Sequence, residues 1–233
     1  MTPKEEHVAE DAIQYIKKHK KDIIRKFANP EIYPMAKNPV SVFMAGSPGA
    51  GKTEMSKSLV ELFEIPTVRI DADEIRNEIP VYTGKNSAVV QGAASIGVEK
   101  IIDSCFKKGQ SFILDGLLAD FDKAKNNIER CLEKGRIVII FYIYQDPKIA
   151  WEFTQKREKL EGRNIPKEAF VHGFIYSRSV VQKLKDEYGK SIQLHVIEKD
   201  FHNGNKEVWA DVKDIDKYIK KRYSVQTLKE LLY

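Results

Sequence analysis

The chain has 233 residues, 42% hydrophobic and 31% charged, with 39 Lys and Arg against 34 Asp and Glu. That length suits one α/β domain with short additions and is ample for a core, while the small basic excess permits acidic ligands without demanding them. No apolar run approaches the roughly 20 residues that span a bilayer, residues 1–21 lack the apolar stretch of a secretory signal, and two cysteines make no disulfide framework, so the expected setting is reducing and cytoplasmic.

In chain order, Val8, Ala12, Ile13, Ile16, Ile23, Ile24 and Phe27 recur near helical spacing and predict a helix over 4–28. Its Lys17, Lys18, Lys20 and Lys21 read as a solvated face. ANPEIYPMAKNP ends that helix, and PVSVFMAG (39–46) has the length and composition of a buried strand. A loop at Ser47–Thr53, a helix at Glu54–Phe63 and a strand at Pro66–Asp71 follow. A helix from near Asp73, a polar turn at 83–87, a long helix Ala88–Lys107 and a strand Phe112–Asp115 come next. Then come a helix Asp122–Glu133, a fully apolar strand Ile137–Tyr144, two helices (Pro147–Glu161 and Lys167–Tyr188) and a strand Ile192–Ile197. Lys206–Tyr233 reads as polar and mostly helical. Strands alternating with helices predict a parallel five-stranded sheet covered on both faces. The expected layout is a single α/β P-loop kinase-type domain over 1–233. It comprises an N-terminal helical extension (1–37), a core (38–200) with a helical lid at about 150–180, and a C-terminal helical segment (201–233). Cys105 and Cys131 lie in apolar helical stretches and read as core fillers, His195 as a strand histidine, and Trp151, Phe153, Phe170, Phe174 and Tyr176 as packing of the lid helices.

Gly46-Ser47-Pro48-Gly49-Ala50-Gly51-Lys52-Thr53 fits G-x-x-x-x-G-K-[ST] between an apolar strand and a helix. Glycines let the backbone curl so that N–H groups point at phosphate oxygens, and the helix that follows, from Glu54, offers its positive end to the same anion. Lys52 would reach the β and γ phosphates of ATP or GTP, and the Thr53 hydroxyl would take a place on Mg²⁺.

The acceptor side follows from the strand ends, where ligands of open α/β sheets lie. Ile70-Asp71-Ala72-Asp73-Glu74-Ile75-Arg76 carries two carboxylates there. Asp73 is the first choice for the base that accepts a hydroxyl proton. Asp71 is its competitor, or else orients the acceptor or a magnesium-bound water; the bland alternative for Asp73 is a helix cap. Asp115, ending the third strand, would serve the metal's outer shell or the substrate. Arg157, Arg163 and Arg178 fall in or after the expected lid, where guanidinium groups can stabilise a migrating phosphoryl group.

GSPGAGKT, IDADEIRNEIP, the strand ending LDG and KREKLEGRNIPKEAF together resemble the zeta toxins, P-loop kinases of bacterial toxin–antitoxin systems, over roughly residues 38–200. The resemblance implies Asp73 as base, Arg76 as the basic residue of the second motif, and Arg157 and Arg163 as the catalytic arginines. It implies transfer of phosphate from ATP or GTP to a nucleotide sugar, the well-known acceptor being the 3′-hydroxyl of UDP-N-acetylglucosamine, and an antitoxin protein that covers the nucleotide site. Two positions depart from the family pattern: its His-Pro pair is Ile79-Pro80, and its Glu-Gly-Thr is Asp115-Gly116-Leu117. Both fall on the acceptor side. Two other readings stand beside a small-molecule kinase. One is a polynucleotide or nucleotide kinase, motivated by the net charge and the basic first helix. The other is a nucleotide-binding interaction module with little catalysis.

Overall fold

The computed structural model describes residues 1–200 and 206–232. Strands β1 (Val40–Ala45), β2 (Val68–Asp71), β3 (Phe112–Asp115), β4 (Ile137–Gln145), β5 (Gln193–Lys199) and β6 (Lys206–Trp209) form one sheet in the order β2-β3-β1-β4-β5-β6. The first five run parallel and the sixth antiparallel. The five expected strands are therefore present, and a sixth corrects the count. Lys206–Trp209 reads as polar, and only its pairing with β5, Val196 opposite Trp209 and Ile197 opposite Val208, makes it a strand. It satisfies backbone groups that β5 would otherwise leave at an open edge. The C-terminal segment is correspondingly not mostly helical: among its described residues it holds β6, a 3-10 turn (Ile215–Lys217) and one short helix, α9 (Val225–Leu231). Residues 201–205 and 233 lie outside the described residues.

The apolar character of β1 on both faces follows from its central place. Phe43 and Ala45 enter a large core on one side of the sheet, Val42 and Met44 a smaller one on the other. Helix α3 (Lys52–Leu62) covers the smaller side through Leu59. On the larger side lie α5 (Gln91–Lys108), α6 (Phe121–Glu133) and α8 (Lys167–Tyr188), through residues such as Ile101, Ile128 and Val181.

The N-terminal extension is two helices rather than one. The first, α1 (Pro3–Lys18), ends at His19, whose ring stacks on Tyr15 at 4.4 Å, and α2 (Lys20–Phe27) departs from there. The break redirects the chain so that Ala12, Ile16 and Ile23 all join the large core, while the four lysines stay exposed. Both helices pack on α5. Behind them, Gly97 of α5 is a close-approach position: a Cβ there would stand 2.7 Å from Ile75 Cγ2. Ile75 belongs to α4 (Ala72–Arg76), the short helix that carries the second motif.

The segment expected to be the lid is α7 (Pro147–Glu161), a turn through Gly162 in the left-handed region (φ 71°), and the start of α8. Trp151 meets Phe170 edge to face at 5.2 Å, and Phe174 packs against Phe170, Tyr144 and Tyr223. Tyr176 is exposed and stacks on His172 at 4.4 Å. Cys105 and Cys131 are buried free thiols, and burial pushes the Cys105 thiol up to about 12. His195 stacks on Phe141 at 5.0 Å within the sheet.

Candidate active site

The loop from Gly46 to Thr53 leaves the end of β1 and enters α3, with Lys52 already the first helical residue. Three glycines are required by the curl, not merely tolerated. Gly46 (φ 132°) and Gly49 (φ 73°) press against the carbonyls of Ile143 and Ala150, at 2.2 and 2.0 Å from where a Cβ would lie. Gly51 (φ 86°) caps α3 in the left-handed region and takes a 3.1 Å hydrogen bond from Lys199 on its carbonyl. Ser47, Pro48 and Ala50 are buried in the loop wall, and Glu54 is exposed one residue beyond Thr53. Lys52 is 8% exposed and donates to the Ser47 carbonyl at 2.6 Å, folded into the loop. Burial lowers its pKa to about 8, with Arg163 adding to the effect and Asp115, Asp73 and Asp71 opposing it. Those four influences also mark the groups that share the cleft with it.

The wall facing the loop is made of charged side chains. Asp73, on α4, is gripped by three arginines: Arg76 Nη1 on Oδ1, Arg163 Nη1 on Oδ2, and Arg157 Nη2 at 3.9 Å. Arg76 is anchored in turn by Gln91 of α5. Helix α7 and the turn after it thus bring Arg157 and Arg163 to the residue singled out from the second motif. Burial lowers the Arg163 pKa, opposed chiefly by Asp73. The capping alternative for Asp73 does not hold: Asp71 is the N-cap of α4, its Oδ1 accepting from the Asp73 N–H at 2.8 Å. Burial, with the charges of Asp115 and Asp73, raises the Asp71 pKa.

Asp115 and Asp71 stand opposite each other in the β2–β3 register. Between them lies Arg69, which sequence reasoning missed. Its Nη2 reaches Asp71 at 2.6 Å and Asp115 at 2.8 Å, and its Nη1 reaches Glu74. The period-two alternation that places Arg69 on the same strand face as Asp71 was the available signal. The Arg69 pKa is raised: burial works against it, and the carboxylates of Asp115, Asp71 and Glu74 outweigh that.

Two expected acceptor-side residues are elsewhere. Arg178 points away from the Asp73 cluster, bonding Asp216 and the carbonyls of Ile219 and Lys221 in the C-terminal segment. Ile79, the departure from the His-Pro pair, is 2% exposed and packs in the large core.

The comparisons agree with this architecture. The zeta toxin family model matches residues 23–213. Toxin PezT of Streptococcus pneumoniae serotype 4 is 27% identical over 178 residues, 70% of this chain and 68% of that protein. A structure from the PezAT chromosomal toxin–antitoxin system of Streptococcus pneumoniae superposes with a TM-score of 0.70 at 18% identity, covering 99% of this chain and 93% of that one. The AvrRxo1-ORF1:-ORF2 complex with ATP superposes with a TM-score of 0.64 at 15% identity, covering 91% and 71%. Both share the fold, and among the described residues no helix is long and apolar enough to cross a membrane. With its family model matched over most of its length and a P-loop kinase-like fold, the chain belongs to the zeta toxin family.

Proposed function

We propose that the protein transfers the γ-phosphate of ATP or GTP to a hydroxyl of a small molecule, a nucleotide sugar such as UDP-N-acetylglucosamine. The observation that carries this reading is the convergence of Arg157, Arg163 and Arg76 on Asp73 beside a buried Lys52. That is the constellation a phosphoryl transfer needs: one carboxylate to take a proton, and cations to meet charge on the migrating group.

The donor's phosphates would lie in the curl from Gly46 to Thr53, with Lys52 leaving the Ser47 carbonyl for the β and γ oxygens. Arg157 and Arg163 would exchange Asp73 for the γ-phosphate, a stronger anion with more oxygens. Released from those two guanidinium groups but still held by Arg76 and by the Asp71 cap, Asp73 would accept the acceptor's proton. The acceptor oxygen bonds to the γ-phosphorus as the bond to the β–γ bridging oxygen breaks, leaving ADP or GDP. Magnesium fits this arrangement. The Thr53 hydroxyl, in the first turn of α3, would help hold it beside the donor. Such an ion would neutralise charge on the β and γ groups.

Arg178 has no part in this scheme, and Asp115 stands beside Asp71 at the end of β3. An antitoxin partner is supported by the toxin–antitoxin system to which the superposed streptococcal structure belongs. The test is incubation of the pure protein with ATP, GTP and Mg²⁺ against nucleotide sugars, nucleotides and short oligonucleotides, read by mass spectrometry with Lys52→Ala as control. A UDP-sugar heavier by one phosphate, absent in the control, is the expected result. Phosphate appearing on oligonucleotides alone would replace the acceptor.

A further inference from the structure

One cation in the cleft has no role in the scheme above. Strands β2 and β3 end together and in register, so Asp71 and Asp115 stand side by side with side chains only 10% and 5% exposed. Two anions so close and so dry repel each other strongly, and such a pair calls for a positive group between them. Arg69 supplies it, and it does more than pair with one partner. Nη2 is shared by Asp71 Oδ2 (2.6 Å) and Asp115 Oδ2 (2.8 Å), and Nη1 is bound to Glu74 Oε1. Nε donates to Ser56 Oγ at 2.8 Å, and that hydroxyl donates to Asp115 Oδ2 at 2.8 Å. One guanidinium therefore ties the ends of two strands to α4 and to the phosphate-loop helix α3. Asp71 passes the constraint on, because its other oxygen holds the Asp73 N–H.

The geometry points to Arg69 as a positioning residue and resident counter-cation: it stands where a divalent ion would otherwise bridge Asp71 and Asp115, and through Asp71 it fixes Asp73. The positioning half rests on the proposed role of Asp73; the counter-cation half does not. The distances carry the second. Both carboxylate oxygens lie within 2.8 Å of one nitrogen, so a small inward shift would put them at bonding distance from a hard cation, which prefers carboxylate oxygens. Removing the guanidinium leaves three carboxylates, Asp71, Asp115 and Glu74, without the cation that bonds all three.

The test uses Arg69→Gln and Arg69→Lys in the full chain. Binding of Mn²⁺ to nucleotide-free protein is followed by electron paramagnetic resonance, and kcat and KM are followed with the donor. Arg69→Gln is expected to bind one Mn²⁺ at least about tenfold more tightly than the wild type, since the guanidinium no longer occupies the space between the carboxylate oxygens. Adding Asp115→Asn should remove that ion. In the kinetic arm, Arg69→Gln should lower kcat about 10- to 100-fold with little change in donor KM, the usual scale for a supporting partner, and Arg69→Lys should restore part of it. A folded Arg69→Gln protein with no gain in Mn²⁺ overturns the counter-cation role, and unchanged kcat overturns the positioning role. If Arg69→Gln does not fold, Arg69→Gln/Asp115→Asn decides: recovered folding supports charge balance, and continued failure overturns it. A wild type with no transferase activity would sink the proposed function while leaving the Mn²⁺ result readable.

Discussion

The loop from Gly46 to Thr53 shapes its surface with backbone, whereas the wall from Arg69 to Arg163 shapes its own with guanidinium and carboxylate groups drawn from β2, β3, α4 and the lid. The first surface is one contiguous stretch whose form is dictated by glycine φ angles and close carbonyl contacts. The second exists only when four elements have been brought together. A backbone cradle recognises what every nucleoside triphosphate shares. A wall of paired side chains can be rearranged by its ligand, because the pairings of Arg157 and Arg163 with Asp73 are ones that an arriving phosphate could replace. The contrast implies that damage to the wall should act on the chemical step, and damage to the cradle on donor binding.

The sharpest way to break that contrast is Arg163→Ala. It should cost about a thousandfold or more in kcat, in the range that a single transition-state arginine contributes, with the donor dissociation constant little changed in equilibrium binding. A loss confined to binding would erase the distinction between wall and cradle. Next in size, Asp73→Asn keeps the shape and removes the proton acceptor. Transfer should fall by about 10² to 10⁴, while isothermal titration still shows nucleotide bound.

The cradle has its own test, through pH. Lys52 in the nucleotide-free protein has a pKa lowered to about 8 by burial, and a bound phosphate favours its charged form. Above that pKa, binding must take up a proton, so affinity for ATP in the presence of EDTA should fall about tenfold between pH 7 and pH 9. Calorimetry in buffers of different ionisation enthalpy would detect the uptake, and its absence would show that Lys52 stays charged. The same lysine has the opposite effect on folding. The unfolded chain holds the proton up to a higher pH than the folded one, so this group favours the folded state increasingly as pH rises from about 8 toward its ordinary value.

The smallest effects on transfer are expected away from both surfaces. Ile79→Ala should leave kcat/KM nearly unchanged but cost about 2–4 kcal/mol in urea unfolding, because the residue is a packed core side chain. Arg178→Ala should change kcat/KM less than about threefold, since its partners are Asp216 and two carbonyls of the C-terminal segment, and lower stability by about 1–3 kcal/mol. A strong kinetic defect in either would return that residue to the acceptor site.

What was legible in the sequence divides along the same line. The eight-residue loop, its flanking strand and helix, and the five parallel strands were readable because each depends on neighbours in sequence: glycine positions, apolar runs, helical spacing. Asp73, Arg157 and Arg163 were found as well, and the structure brings them together. Arg69 was not, because a charged residue inside an apolar strand signals its purpose only once β3 sets Asp115 beside it. Ile79 looked like an altered acceptor contact because a motif aligns positions without reporting burial. The strand Lys206–Trp209 escaped because its identity comes from the edge of β5, not from its own four residues.

The packing of α1 and α2 against α5 has a consequence for the order of events during synthesis. Residues 3–27 emerge from the ribosome well before residue 91, yet the surface that Ala12, Ile16 and Ile23 bury lies largely on a helix that begins at Gln91. At a translation rate of about 5–20 residues per second, these apolar stripes wait several seconds for their partner. Until then α4 has no backing, and Arg163 has not been made. A growing chain therefore cannot assemble the Asp73 cluster until Arg163 has emerged, and until α5 follows them α1 and α2 are an exposed surface for a chaperone.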